Sequence, residues 1–182
     1  MTRPGFGRSW GTLALLVLAL LPSYSGAQRP VTPRPGPTHP ATRPIRALAT
    51  RIDAMIGLGA FTTYTDSAEC NGGSERVTAR LYTDSSGQAR KYVRAGGSDD
   101  AAGEVKYYYD TRGRLRFSVE VLGAVNGTQR ETRVYFDTTG TPIYKDVRLT
   151  KGPGYPGGFE LVIADPAEDF RSLCGPPDRP QR

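Results

Sequence analysis

The chain has 182 residues and a formal charge of +6, which is room for one domain of ordinary size. Arg3, Arg8, Arg29, Arg34, Arg43 and Arg46 carry the surplus, whereas from Ala47 to Arg182 the 18 basic and 18 acidic residues balance. A domain that grips phosphate backbones needs its excess charge on the folded face, so nucleic acid is excluded as a partner.

Arg3 and Arg8 precede an apolar run from Leu13 to Leu21, and Ser25-Gly26-Ala27 supplies small residues before Gln28. This pattern predicts a signal peptide over residues 1–27, cleaved near Ala27, and a secreted or periplasmic mature chain. The run is too short to give that chain a transmembrane segment. Residues 28–43 hold Pro30, Pro33, Pro35, Pro37 and Pro40 and read as a flexible, proline-rich tether. His39, the one histidine, lies in it, where nothing would hold a base or ligand against a partner. A single α+β domain is expected over residues 44–175, followed by a disordered tail, residues 176–182.

Pro44 suits the first position of a helix. Ile45, Leu48, Ile52, Met55 and Ile56 then recur at spacings of three and four until Gly57 or Gly59 stops the run. One apolar stripe of this kind needs a surface to cover, and the dry face of a sheet is the expected one. After a loop carrying Cys70, Asn71, Gly72 and Gly73, the residues Val77, Ala79 and Leu81 alternate with Thr78, Arg80 and Tyr82 as in a strand with one buried face.

Asp84-Ser85-Ser86-Gly87, Asp110-Thr111-Arg112-Gly113 and Asp137-Thr138-Thr139-Gly140 are three copies of one turn, at separations of 26 and 27 residues. Asp favours the first position of a type I turn and Gly supplies the left-handed residue of a bulge, so each copy predicts a hairpin. The middle copy, with Tyr108-Tyr109 before it, resembles over one hairpin the tyrosine-aspartate repeats of large secreted shell proteins, which implies the same turn chemistry.

The middle turn sets Tyr109 against Leu115, Tyr107 against Phe117 and Val105 against Val119. Asn126-Gly127, the signature of a two-residue type I′ turn, sets Val125 against Thr128 and therefore Phe117 against Phe136 and Val119 against Val134. Both turns thus choose Phe117 and Val119 for the dry face of a three-stranded meander. Residues 95–103 read as a Gly/Ser/Asp loop, and a bulge, or cover over the second face, is expected near Pro142, because Ile143, Val147 and Leu149 point away from the predicted dry face. Phe159 to Ala164 reads as a last strand. Asp165-Pro166-Ala167-Glu168 then caps a short helix with Phe170 and Leu173 inward, ended by Gly175. The expected fold is an antiparallel meander of about seven strands, with the N-terminal amphipathic helix on one face and a short C-terminal helix.

Cys70 and Cys174 are the two cysteines, and an even count in an exported chain predicts one disulfide. No cofactor or metal set is indicated, and no Gly-rich phosphate loop joins a strand to a helix. Catalysis by a nucleophile and base finds no candidates, which favours a non-catalytic binding module for a protein, envelope or small-molecule partner. Tyr82, Tyr108 and Tyr135 fall on the predicted wet face and are the expected contact residues. Two alternatives stand beside this reading: a barrel or half-barrel cup that carries a small apolar ligand, and a hydrolase using carboxylates that converge from separate loops.

Overall fold

The computed structural model describes residues 40–175. The expected leader, the tether up to and including His39, and the tail lie outside the described residues. The fold is α+β. Helix α1 (Arg43–Gly57) is followed by one antiparallel sheet whose strands neighbour one another in chain order: β1 (Thr62–Cys70), β2 (Glu75–Thr83), β3 (Ala89–Gly97), β4 (Ala101–Tyr109), β5 (Leu115–Ala124), β6 (Gln129–Phe136) and β7 (Pro142–Lys151). A short helix α2 (Pro166–Arg171) closes the described chain.

Several of the expected segments change character: residues 95–97 and 101–103, expected as a loop, extend β3 and β4, and residues 40–42, expected in the tether, form a 3-10 turn with Thr42 buried. Residues before Cys70, expected as a loop, form β1, an edge strand of Thr, Ser, Asp and Glu that is exposed along most of its length. Phe159 to Ala164 is not a strand but an irregular strap laid across the sheet. Side chains beneath it satisfy its backbone instead of a neighbouring strand: Tyr107 donates to Glu160 O, Tyr109 to Ile163 O at 2.9 Å, and Phe159 N–H donates to Glu120 at 2.8 Å.

The three Asp-x-x-Gly turns are built alike. Gly87, Gly113 and Gly140 have φ of 80°, 73° and 87°, a region that Gly enters at little cost. In each, an Asp Oδ1 accepts two backbone N–H groups, from Ser86 and Gln88, from Arg112 and Arg114, or from Thr139 and Thr141. After each turn one residue bulges out of the pairing: Arg90, Arg116 and Ile143, each six positions beyond its Asp. Arg90 turns back to Asp84 and reaches across to Tyr109 O, and Arg116 does the same with Asp110 and Phe136 O. One hairpin is thereby tied to the next, and the third copy, with Ile143 in that place, ends the series.

Hydrogen bonds from Ser86 and Thr139 hold the carboxyls of Asp84 and Asp137 below the ordinary 3.8. At Asp110 burial pushes the other way, but the Arg114 guanidinium and the N–H groups of Arg114 and Arg112 outweigh it, and this carboxyl is lowered too. A group depressed in the folded state stabilises the fold above its unfolded value, and that contribution is lost as pH falls through the folded value. Urea midpoints are therefore expected to decline once pH drops below about 4, with Asp110→Asn flattening that decline. An acid limb identical in wild type and Asp110→Asn would show that the Asp110 turn is not its source.

The register differs from the predicted one at β5. Tyr109 pairs with Leu115 as expected, but the Arg116 bulge then sets Tyr108, not Tyr107, against Phe117 and Lys106 against Val119. The Asn126-Gly127 turn has three residues, not two: Ala124 N–H donates to Thr128 O, and Gly127 alone takes positive φ. Asn126 accepts from Thr128 N–H and donates to Gly154 O, which ties the turn to the loop after β7. Phe117 accordingly faces Tyr135 and Ser118 faces Val134.

Both faces of the sheet are consequently dry over their centres. One buries Val77, Leu81, Tyr92, Val105, Tyr107, Tyr109, Leu115, Val134 and Phe136 beneath the strap, α2 and Leu173. The other buries Tyr108, Phe117 and Tyr135 beneath Ile45, Ala49 and Ile52 of α1. The helix thus covers Phe117 as expected, but on β4 and β6 it covers the face opposite to the expected one, and Met55, predicted inward, is partly exposed.

Candidate binding edge

Tyr82, Tyr108 and Tyr135 are 8%, 4% and 1% exposed, so the expected contact face is interior. They belong to one row across the sheet, Tyr82–Lys91–Tyr108–Phe117–Tyr135–Tyr144, in which each residue is the register partner of the next. Ring centroids lie 5.6, 4.7 and 5.7 Å apart from Tyr108 to Tyr144, within the range of favourable aromatic pairs. Asp53 of α1 pairs with Lys91 at 2.6 Å and accepts from the Tyr108 hydroxyl at 3.1 Å. Burial, with the Asp53 charge beside it, pushes the Tyr108 hydroxyl well above the ordinary tyrosine value. The row is the seat of the helix rather than a surface.

The carboxylates on the strap side are occupied in the same structural way. Asp169 accepts from Tyr92 at 2.6 Å and pairs with Arg94 at 3.0 Å, while Arg94 also donates to Leu173 O at 2.7 Å, so α2 is held down by sheet side chains. Glu120 is 1% exposed, pairs with Arg130 at 3.0 Å and accepts Phe159 N–H. Arg130 also donates to Tyr155 O and Gly157 O. Among the described residues no group of three or more His, Cys, Asp or Glu is placed to hold a metal ion. Cys70 and Cys174 are joined in a disulfide that ties the end of β1 to the residues just after α2, the pairing expected from the sequence and one suited to an oxidising compartment. Among the described residues no helix is long and apolar enough to cross a membrane.

What remains unpartnered is the far edge of the sheet. β7 pairs with β6 alone, and its outer side has no neighbouring strand among the described residues. Ile143, Val147 and Leu149 are 39%, 53% and 50% exposed. These are the residues whose apolar character called for a bulge or a cover in the sequence: Ile143 is the bulged residue beside Pro142, and the strap stops short of Val147 and Leu149. From Tyr144 to Leu149 the ladder with β6 runs without interruption. Asp146 and Arg148 lie on the α1 side of the strand, 2.8 Å apart, with the Arg148 side chain half exposed. A cleft of about 310 Å³ opens beside the strand, lined by Glu120, Arg130, Thr132, Lys145, Val147 and residues 156–159 and 161. The opposite edge is of another kind, since β1 exposes Thr, Ser, Asp and Glu and one large ring, Tyr64. No family model, curated protein or solved structure matches the chain.

Proposed function

We propose that the protein is a non-catalytic binding module of the secreted or periplasmic space that takes an extended protein segment as an added strand along β7. The half-exposed apolar residues on an unpaired edge carry this reading. Unpaired N–H and C=O groups supply affinity in such strand addition, and alternate side chains supply selectivity. Natural edges are commonly guarded by charge, proline and bulges, yet here Pro142 and the bulges at Ile143 and Thr150 sit at the two ends and the six residues between them, Tyr144 to Leu149, pair regularly. The filling of both sheet faces by α1 and the strap leaves little support for a hollow carrier. The arginine and backbone partners of Glu120, Asp110 and Asp169 give those carboxylates structural work in place of hydrolysis.

A photo-reactive side chain placed at position 147 of the chain produced in its native compartment tests the reading. It is expected to yield a cross-linked protein adduct, and the same group at position 65 of β1 is expected to yield none. Absence of an adduct at 147, or equal adducts at both positions, would overturn it.

A further inference from the structure

We propose that the strand β7 receives is β7 of a second copy, paired antiparallel about a two-fold axis that passes through Val147. This inference rests on the edge reading and adds the identity of the occupant. A two-fold axis normal to the sheet keeps each face on its own side. Since side chains alternate between faces, directly opposed residues share a face only if the axis passes through a residue. Few registers meet that condition near the middle of the strand, and charge separates them.

An axis at Lys145 sets Lys145 against itself, one at Asp146 sets two carboxylates together, and one at Arg148 sets two guanidinium groups together. Like charges directly opposed in a sheet are destabilising. An axis at Val147 instead sets Asp146 of each copy against Arg148 of the other, so the attraction occurs twice. Within one copy these two side chains already sit on one face at 2.8 Å, and exchanging partners keeps both paired. On the other face Val147 meets its own counterpart and Lys145 meets Leu149, which covers the two apolar residues that are about half exposed in the single chain. Beyond these residues the bulges at Ile143 and Thr150 end the regular strand, and within it no like charges face one another. The axis also falls within the uninterrupted ladder from Tyr144 to Leu149. The strand is in this sense charge-palindromic about its exposed valine, and the complementarity points to the chain itself.

Sedimentation equilibrium of the exported chain over a range of concentrations, with charge-reversal variants, tests the assignment. Wild type is expected to be a dimer. Arg148→Asp or Asp146→Arg alone places like charges opposite each other twice and is expected to weaken the dimer by about tenfold or more. Asp146→Arg with Arg148→Asp in one chain restores opposite charges at both positions and is expected to restore the dimer. A monomeric wild type, or a dimer indifferent to the single reversals, overturns the second copy as occupant. If a monomeric chain cross-links from position 147 to a different protein, the edge reading survives without it; if it cross-links to nothing, both fail.

Discussion

Reducing the Cys70–Cys174 bridge is expected to lower the unfolding free energy by about 4 kcal/mol, because the bridge closes a loop of 104 residues and so removes chain entropy of that size from the unfolded state. The segments it joins make the loss hard to offset. β1 is an exposed edge strand that buries Cys70 and little else of its own, and the strap has no strand partner. Tyr107 and Tyr109 hold the strap, and Arg94 the residues after α2, by single hydrogen bonds to their backbone, each worth about 1 kcal/mol or somewhat more. Urea unfolding with and without a reductant, and of the variant with Cys70→Ser and Cys174→Ser, measures the difference. Hydrogen exchange in the reduced protein is expected to rise first over residues 155–175, ahead of β4 to β6. A loss under about 1 kcal/mol would mean that side-chain contacts alone fix the strap.

The sequence made the order of elements legible through local chemistry. α1 is announced by Pro44 and its stripe, and α2 by Asp165, whose carboxylate accepts from Ala167 and Glu168 N–H as a cap should. The three Asp-x-x-Gly turns form as read. Register was harder to read, because it depends on long-range bonds. The Arg116 bulge is held by Asp110 and by Phe136 O, the latter 20 residues away, and Asn126 is held by Gly154, 28 residues on. Each moves the pairing of β5 by one residue, in compensating senses. The two turns therefore agreed on a face for Phe117 and Val119 that was wrong for β5 alone, while β4 and β6 kept the predicted relation. Tyr108 and Tyr135 keep the face predicted for them, and they are interior because α1 covers that face. β1 is not legible in the sequence because an edge strand exposed on both faces shows no alternation. Of the candidate edge, Ile143, Val147 and Leu149 were legible as apolar residues out of phase, but not that the strap would leave them uncovered.

Glu120→Ala is expected to destabilise the protein by about 3 to 5 kcal/mol, the usual result of stranding one member of a buried ion pair. The carboxylate lies at 1% exposure on the strap side of β5, where alternation alone would place an apolar residue. Its two oxygens have separate tasks: Oε2 neutralises Arg130, and Oε1 receives the Phe159 N–H where the strap begins its crossing. Arg130 Nε is already buried without a hydrogen-bond partner, so loss of Glu120 leaves a cation with only the carbonyls of Tyr155 and Gly157. Glu120→Gln keeps an acceptor for Phe159 and removes the charge, and is expected to cost less than alanine. If the stranded charge is the main term, Glu120→Leu combined with Arg130→Met should be more stable than Glu120→Ala, since an apolar pair leaves no ion uncompensated. Thermal and urea unfolding of the three variants separates the contributions. A Glu120→Ala protein within about 1 kcal/mol of wild type would mean that water reaches Arg130 through the cleft beside β7 and that the strap is anchored by its tyrosines.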